Sequence, residues 1–301
     1  MTNPSPTVGS PGQMPLRRLG RTEHRSSVAI LGGAAFWNST PAETEHAVQL
    51  AVDWGVNHID IAPSYGNAEL ATGHLVRAHR ADWFVAEKSN RSNPDGLRAQ
   101  LELSLDRLGC AHFDLYQAHG VTDLAELDRR SDAIEAILRA RDEGLTRFVG
   151  ITGHDLGTPV AQLAALRRFD LDTVMFPVYP GVMADPTYAL HVRELLDECA
   201  RRDTGVMAIK AVAYQPWGAG DKTHGTWYQP FTDPTSIDRG VRFALATPGV
   251  HAICTPGDVR LLPAVFAAAS TDVVPSSVER DEALRVGAEW PTVFPLVDHA
   301  R

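Results

Sequence analysis

The chain of 301 residues carries 28 Lys and Arg residues against 37 Asp and Glu residues, a formal net charge of -9. This acidic balance argues against nucleic acid or an anionic membrane as a partner, although a local basic pocket for a phosphate stays compatible with it. Hydrophobic residues make up 44% of the chain, which is enough for the core of one large domain or of two ordinary ones.

The three cysteines, Cys110, Cys199 and Cys254, are widely separated and show no metal-ligand spacing, so we expect reduced thiols and no metal site. No apolar run approaches the roughly 20 residues that a membrane helix requires. Arg17-Arg18 precedes an apolar segment in the manner of a twin-arginine signal, but charged residues interrupt it and no small-residue cleavage site follows. The sequence therefore predicts a cytoplasmic protein.

Residues 1–14 are rich in Pro, Ser, Gly and Thr, a composition typical of a disordered tail. Two short strands are predicted next, and the second is fully buried. From residue 40 onward, helical patterns alternate with short apolar strands. In chain order the predicted strands cover residues 16–20, 26–32, 56–62, 83–88, 113–118, 147–151, 173–176, 205–209 and 250–254.

Amphipathic helices are predicted between these strands, because apolar residues recur there three and four positions apart. The first helix begins near Thr40-Pro41, and a later one ends at Gly109, a typical helix terminator. The segment 214–234 is predicted to be a long irregular loop rich in aromatic residues. A polar helix is expected at residues 276–289, after the last strand–helix unit.

The pattern amounts to eight strand–helix units in about 250 residues, which predicts an α/β protein with a closed (β/α)8 TIM barrel. The alternative is an open doubly wound sheet, which usually carries Gly-x-Gly-x-x-Gly after its first strand. Here the sequence Leu31-Gly-Gly-Ala-Ala35 lacks the third glycine, so this alternative is the weaker one. No domain boundary is visible, and residues 15–301 are predicted to form a single barrel domain with an extra C-terminal helix.

Four chemically active side chains fall at one end of neighbouring predicted strands. Asp60, Lys88 and His119 lie at the ends of the second, third and fourth barrel strands, and Tyr65 follows the first of these three. This set suits reduction of a carbonyl, because a proton donor must meet the negative charge that grows on the oxygen. We expect Lys88 to lower the pKa of the Tyr65 phenol, Asp60 to hold Lys88 charged, and His119 to orient the carbonyl.

Each of these residues also has a structural explanation when taken alone. Asp60 suits the cap of a turn, Tyr65 a half-buried aromatic residue at the rim, and Lys88 a solvated strand end. His119 suits a hydrogen-bonded histidine of the barrel interior. Their joint placement at the same end of consecutive strands favours the catalytic interpretation.

Several segments resemble the aldo-keto reductase family. They are Arg17-Arg-Leu-Gly-Arg-Thr22, Gly55-Val-Asn-His-Ile-Asp-Ile-Ala-Pro-Ser-Tyr-Gly66 with Glu69, Leu103-Ser-Leu-Asp-Arg-Leu-Gly109 and Phe113-Asp-Leu-Tyr-Gln-Ala-His119. The first of them is similar to the hairpin that opens the family's barrel. The resemblance implies an Asp-Tyr-Lys-His tetrad at Asp60, Tyr65, Lys88 and His119. It also implies a nicotinamide cofactor bound without a Rossmann turn, and hydride transfer to an aldehyde or ketone.

The resemblance also implies cofactor contacts, with departures from the family pattern. Where the family holds the carboxamide with a Ser-Asn pair and a Gln, this chain has Thr152, Gly153 and Met175. Lys210 stands where many members stack an aromatic ring on the nicotinamide, as in a bacterial branch of the family. Some relatives of that branch carry an iron-sulfur cluster, which three scattered cysteines argue against here.

Residues 254–260 are similar to the family's phosphate-binding loop, with Pro256 and Gly257 at a helix start that suits a phosphate. Arg260 is the expected clamp for the phosphate, whereas Asp258 would repel it. The preferred cofactor is therefore NADP(H) rather than NAD(H). The alternative for this segment is an ordinary capped helix start.

On the substrate side, we expect an apolar wall formed by Phe36, Trp37 and Trp217, together with His154 at the end of the fifth strand. The alternatives are a rim histidine without a chemical task and a surface loop held by its own aromatic residues.

The sequence thus predicts an NAD(P)H-dependent oxidoreductase that acts on a small carbonyl or alcohol substrate, with Tyr65 as general acid and base. One alternative is a regulatory barrel of the same family that binds the nicotinamide with little or no turnover. Another is a lyase or isomerase that uses Lys88 as a Schiff-base amine, which Asp60 disfavours, because a nucleophilic amine must be uncharged. The oligomeric state is left open.

Overall fold

The computed structural model describes residues 13–220, 222–271 and 274–295. The disordered tail was predicted to cover residues 1–14, and residues 1–12 of it lie outside the described residues. Its last residue, Met14, is buried, and its backbone N–H donates to Trp54 O at 3.0 Å. The folded part of the chain therefore begins no later than Met14.

Strands in the described part of the chain are, in order, β1 (Leu16–Arg18), β2 (Arg25–Ser27), β3 (Ala29–Gly32), β4 (His58–Asp60), β5 (Phe84–Ser89), β6 (Phe113–Ala118), β7 (Thr146–Thr152), β8 (Thr173–Pro177), β9 (Gly205–Ile209), β10 (Ala213–Gln215), β11 (Gln229–Pro230) and β12 (Ala252–Cys254). Strands β3 to β9 and β12 close into a barrel whose neighbouring strands are all parallel. Because β12 pairs with both β9 and β3, it closes the ring. The predicted (β/α)8 barrel is confirmed.

The helices are α1 (Pro41–Asp53), α2 (Ala68–His79), α3 (Pro94–Leu108), α4 (Leu124–Arg129), α5 (Ser131–Asp142), α6 (Thr158–Arg168), α7 (Pro180–Met183), α8 (Pro186–Arg202), α9 (Pro234–Leu245), α10 (Leu262–Ala269) and α11 (Ser277–Gly287). Helix α1 begins at a capping box of Thr40 and Glu43, and α3 ends at Gly109, whose φ of 65° suits a glycine. The polar helix predicted after the last unit is α11. In the part of the chain that the structure describes, no helix has the length and apolar character needed to cross a membrane.

Three local predictions differ from the structure. The strand predicted at residues 26–32 is divided at Val28, because β2 pairs with β1 in an antiparallel hairpin and β3 pairs within the barrel. The short helices α4 and α7 were not predicted. The loop predicted at residues 214–234 contains part of β10 and all of β11, which pair antiparallel.

In the barrel interior, apolar side chains form a cluster, and polar side chains lie beyond it toward the carboxyl ends of the strands. A cluster of buried apolar side chains fills the interior, namely Leu19, Ile30, Phe84, Ala86, Leu115, Met175, Met207, Ile209 and Ala252. Toward the carboxyl ends of the strands the side chains become polar, with Asp60 on β4, Lys88 on β5 and Gln117 on β6. Because these strands are neighbours in the sheet, their ends form one continuous polar layer.

Candidate active site

A buried ion pair occupies the carboxyl ends of β4 and β5. Lys88 Nζ lies 2.7 Å from Asp60 Oδ1 and donates to Ile61 O at 2.8 Å. Gln117 Nε2 donates to the same Asp60 oxygen at 3.2 Å, and Cys254 Sγ lies 3.9 Å from Asp60 Oδ2. Since a buried ammonium is costly without a counter-charge, Asp60 holds Lys88 charged and in place.

The pKa of Lys88 reflects this pairing. Burial by itself would lower the pKa of the ammonium, but the charge of Asp60 and its hydrogen bond raise it above the ordinary value. Lys88 is therefore a permanent cation at neutral pH.

Tyr65 lies in the turn that follows β4, at the wall of the same site. The Lys88 Nζ atom is 4.8 Å from the centroid of the Tyr65 ring, and the Tyr65 hydroxyl is 3.5 Å from His119 Nε2. The next residue, Gly66, has a φ of 54° and packs so closely on Trp37 that a Cβ would lie 2.6 Å from Trp37 O. The structure thus brings together the four side chains that the sequence singled out.

The pKa of the Tyr65 phenol differs from the prediction. Burial raises the pKa of Tyr65 to about 12, because the phenolate loses its hydration. Lys88 lowers the pKa, as expected, but Asp60 opposes that effect, and burial outweighs the influence of Lys88. The predicted effect of Lys88 therefore has the expected sign, but the net pKa lies above the ordinary value, and the phenol keeps its proton at neutral pH.

His119, at the end of β6, is surrounded by polar groups. Its Nδ1 lies 3.3 Å from Ser64 Oγ, and its Nε2 lies 3.3 Å from Nε2 of His154. Arg130 Nη1 donates to His119 O at 2.6 Å and fixes the backbone at this point. Burial, together with the charge of Lys88, lowers the pKa of His119 well below its ordinary value, so the imidazole is neutral at neutral pH.

These groups adjoin a cavity of about 500 Å³ at the carboxyl end of the barrel. Of the predicted site residues, Tyr65, His119, Trp37, His154, Lys210, Pro256 and Gly257 line this cavity. Lys88 and Asp60 lie behind Tyr65, each 1% exposed. The cavity places apolar rings next to a proton donor and a neutral imidazole, an arrangement that can hold and polarise a carbonyl group.

Lys210 follows β9 on the cavity wall. It adopts a left-handed backbone conformation with a φ of 67°, which is unusual for a residue with a side chain. Its Nζ atom lies 5.6 Å from the centroid of the Tyr228 ring and 5.7 Å from that of Phe294. Burial lowers the pKa of Lys210 to about 7.

The three residues predicted to hold the carboxamide do not line the cavity. Thr152 is fully buried, and its Oγ1 accepts from Gly120 N at 3.2 Å. A side chain at Gly153 would collide with Val121 O and Thr158, and Met175 belongs to the apolar cluster of the barrel interior. The predicted contacts of these side chains with a nicotinamide therefore have no geometric support.

The segment that follows β12 also contains both residues that line the cavity and residues that do not. Pro256 and Gly257 line the cavity, whereas Asp258 caps a short 3-10 turn at Val259–Leu261 and accepts from Arg260 N at 2.9 Å. Arg260 Nη2 donates to Asp258 Oδ2 at 2.6 Å and to Thr223 O at 2.7 Å. Arg260, the predicted phosphate clamp, is thus already bound by the carboxylate of Asp258. Residues 258–261 match the alternative interpretation, an ordinary capped helix start.

Two aromatic predictions are corrected. Phe36 is fully buried in the core outside the barrel, and Trp217 donates its indole N–H to Thr226 O at 2.7 Å instead of lining the cavity. Trp227 takes that place: its ring lies 6.0 Å from the rings of both Trp37 and Tyr65, measured between centroids. Because loop 214–234 folds back on itself, no local pattern in it indicates which tryptophan faces inward.

Sequence reasoning also missed Ser64 and Gln117, for which local signals exist. Ser64 precedes Tyr65 in the same turn, and Gln117 lies on β6, two residues before His119. Cys254 had no such signal, because its contact with Asp60 joins the first and last parts of the chain.

Comparison with known proteins gives one consistent result. The family model described as the aldo/keto reductase family matches residues 29–259. An aldo-keto reductase of Mycobacterium sp. (strain KMS) is 31% identical over 128 residues, which cover 41% of this chain and 45% of that protein. An L-galactose dehydrogenase of Arabidopsis thaliana is 30% identical over 214 residues, which cover 66% of this chain and 65% of that protein. The matched segment thus spans less than half of the mycobacterial relative.

Among solved structures, an aldo-keto reductase of Bacillus halodurans in its holo form superposes with a TM-score of 0.70 at 19% identity. The match covers 92% of this chain and 97% of that chain. At this identity the likeness shows the fold alone.

Proposed function

The chain belongs to the aldo/keto reductase family, and from this premise we propose that it reduces an aldehyde or ketone to an alcohol, or catalyses the reverse reaction, with NADPH or NADH. The observation that carries the proposal is the meeting of Tyr65, Lys88 and His119 beside one cavity.

In the reducing direction, Tyr65 acts as the general acid. The phenol holds its proton at neutral pH and lies on the cavity wall, so it can donate to the oxygen of a bound carbonyl as charge develops there. Lys88 stabilises the phenolate that results, since its ammonium stays charged beside Asp60. Neutral His119 contacts the same hydroxyl and orients the carbonyl oxygen, and the phenolate then recovers a proton from solvent.

The cavity suits a nicotinamide. Flat apolar surfaces, a wall lysine without a close carboxylate among the described residues, and the backbone of Pro256 and Gly257 meet in one space. Lys210 and His154 would face the ring, and Pro256 and Gly257 would contact a phosphate. When bound in reduced form, the nicotinamide supplies the hydride that the carbonyl carbon receives.

The preference for NADP(H) over NAD(H) stays a prediction. The structure supports it less than the sequence does, because the guanidinium of Arg260 is already bound by Asp258. The affinities of the two dinucleotides therefore have to be measured side by side.

The regulatory alternative is favoured by one observation, namely that Thr152, Gly153 and Met175 do not face the cavity. A weakly held carboxamide would slow turnover without abolishing binding. Schiff-base chemistry on Lys88 is disfavoured, since the raised pKa of that amine keeps it charged.

The test begins with fluorescence titrations of the protein with NADPH and NADH, followed by a panel of aldehydes and ketones and by alcohols with the oxidised cofactors. L-galactose belongs in the panel because one relative bears the name of a dehydrogenase for it. We expect carbonyl-dependent oxidation of the reduced cofactor. Tyr65→Phe should lower kcat by about 10²- to 10⁴-fold and leave the cofactor Kd unchanged.

Tyr228→Phe is the matched control, because Tyr228 lines the same cavity and its hydroxyl has no part in the proposed proton transfer. Its activity should stay within a few-fold of the wild type. Near-normal turnover by Tyr65→Phe would remove the phenol from the mechanism. Cofactor binding without turnover on any substrate would favour the regulatory barrel.

A further inference from the structure

Lys210 is a buried cation on the cavity wall without a close counter-charge. The residue is 7% exposed, and within residues 13–220, 222–271 and 274–295 no carboxylate oxygen lies within 4.0 Å of its Nζ atom. Its nearest aromatic neighbours are Tyr228 and Phe294, whose rings lie between 5 and 6 Å away. Burying an unpaired ammonium costs free energy, so its retention here points to a task in the cavity.

The other cations of this site are compensated. Lys88 is paired with Asp60 at 2.7 Å, and Arg130 is paired with Glu126. Asp155 also lines the cavity and attracts Lys210, but it lies beyond ion-pair distance. Among the described residues that line the cavity, Lys210 is therefore the cation whose charge is least neutralised by a nearby carboxylate.

A nicotinamide ring changes its charge during the proposed reaction, since it is neutral when reduced and carries one positive charge when oxidised. We propose that the Lys210 ammonium makes this cavity bind the reduced nicotinamide in preference to the oxidised one, by repelling the cationic ring and leaving the neutral ring unaffected. This inference rests on the proposed function. It needs no particular pose of the ring, because the Coulomb interaction acts across the whole cavity.

The size of the effect follows from Coulomb's law. For two unit charges about 6 to 12 Å apart in an effective dielectric of about 20, repulsion weakens binding by roughly 10- to 100-fold. Oxidised cofactor is the product of carbonyl reduction, so the same repulsion also favours its release. Release of product limits turnover in many enzymes.

The preference should change with pH. The pKa of Lys210 is lowered to about 7 by burial, against the opposing attraction of Asp155. Below this pH the amine is charged and the oxidised ring is repelled, and above it the repulsion fades. Of the other groups that face the site, His119 and His154 have pKa values well below the ordinary one, and those of Tyr228 and Cys254 are raised, so all four are uncharged where Lys210 titrates.

The test measures the Kd of NADPH, NADP⁺, NADH and NAD⁺ by calorimetry at pH 6.0 and pH 8.5. The readout is the ratio of the Kd of the oxidised form to that of the reduced form, in which the phosphates shared by the two forms cancel. In the wild type this ratio should fall by roughly five- to tenfold between the two pH values, because about a tenth of the amine is already neutral at pH 6.0. Lys210→Met should give a low ratio at both pH values, and Lys210→Arg a high ratio at both, because arginine does not lose its charge.

Lys222→Met is the control, since Lys222 is exposed and lies off the cavity wall, and its ratio should match the wild type. If all forms bind but the ratio is the same in the wild type, Lys210→Met and Lys210→Arg, the inference is overturned and the proposed function stands. If the wild type binds no nicotinamide at all, the proposed function fails and this inference fails with it. If Lys210→Met does not fold, the pH dependence of the Kd ratio in the wild type and in Lys210→Arg still tests the inference.

Discussion

Strand β4 is three residues long, and each of its ends places a buried polar side chain in the barrel. At the amino end, His58 Nδ1 lies 2.9 Å from Ser26 Oγ, while its Nε2 lacks a hydrogen-bond partner within the described ranges. The rings of His24 and Phe84 cover it. At the carboxyl end, Asp60 is bound by Lys88 and lies behind a cavity.

The difference between the two ends shows what a perturbed pKa means. Burial lowers the pKa of His58 well below the ordinary value, as it does for His119 at the other end. His58 nevertheless does not line the cavity, and its neutral imidazole packs on His24 and Phe84 and hydrogen-bonds Ser26. A shifted pKa therefore points to an active site only where a cavity accompanies it.

The largest expected effect comes from breaking the ion pair at the carboxyl end. Asp60→Asn leaves the buried Lys88 ammonium without its counter-charge, which should cost about 3 to 5 kcal/mol of unfolding free energy. Urea unfolding at pH 7 measures this loss.

Asp114→Asn, toward the amino end of β6, is the matched change. Its partners Arg80 and Arg147 have side chains that are 26% and 56% exposed and can turn to water, and the asparagine oxygen can still accept from Val85 N. We expect a cost of about 1 kcal/mol. Equal costs at the two sites would contradict the distinction drawn between the two ends of the barrel.

A smaller effect concerns acid stability at the amino end. Burial lowers the pKa of His24 to about 4, whereas the unfolded chain has the ordinary value of 6.5. The unfolded state therefore binds more protons between these values, and the contribution of His24 to stability is fully present above pH 6.5 and is lost as the pH falls toward 4. The His24 ring stacks on Phe84 with 4.3 Å between the ring centroids. His24→Phe removes the titration and keeps an aromatic ring in this position.

Unfolding measured at pH 7.0 and pH 4.5 should show a stability loss that is about 2 kcal/mol smaller for His24→Phe than for the wild type. His46→Gln, on the exposed side of α1, should lose as much as the wild type. An unchanged acid sensitivity of His24→Phe would mean that this imidazole is not buried neutral.

The smallest expected effect tests whether Gln117 positions Asp60 for catalysis or only contributes to stability. Gln117→Leu removes the hydrogen bond to Asp60 and should cost about 1 kcal/mol together with a few-fold loss of kcat. Gln162→Leu removes an equally buried bond, to Met175 O, and should lower stability alone. Loss of activity in both variants, or in neither, would show that Gln117 has no special role beside Asp60.

Much of the site was predictable because its main residues lie at strand ends with a clear local signature. Asp60, Lys88 and His119 each end a short apolar strand, and Tyr65 follows in a Pro-Ser turn, so their common location follows from the alternation of strands and helices. The cavity-facing tryptophan was not predictable. Trp217 and Trp227 have similar local surroundings, and the choice depends on how loop 214–234 folds over the barrel.

The amino-acid sequence by itself determined the order of strands and helices and the end of the barrel at which reactive groups collect, because periodicity, caps and turns act between residues close in the chain. The tertiary structure alone decided which side chains reach the cavity, the engagement of Arg260 by Asp258, the exposure of Lys210 to the cavity and the raised pKa of Tyr65. Those properties depend on contacts between distant segments and on how much water burial removes, and neither quantity exists until the barrel has closed.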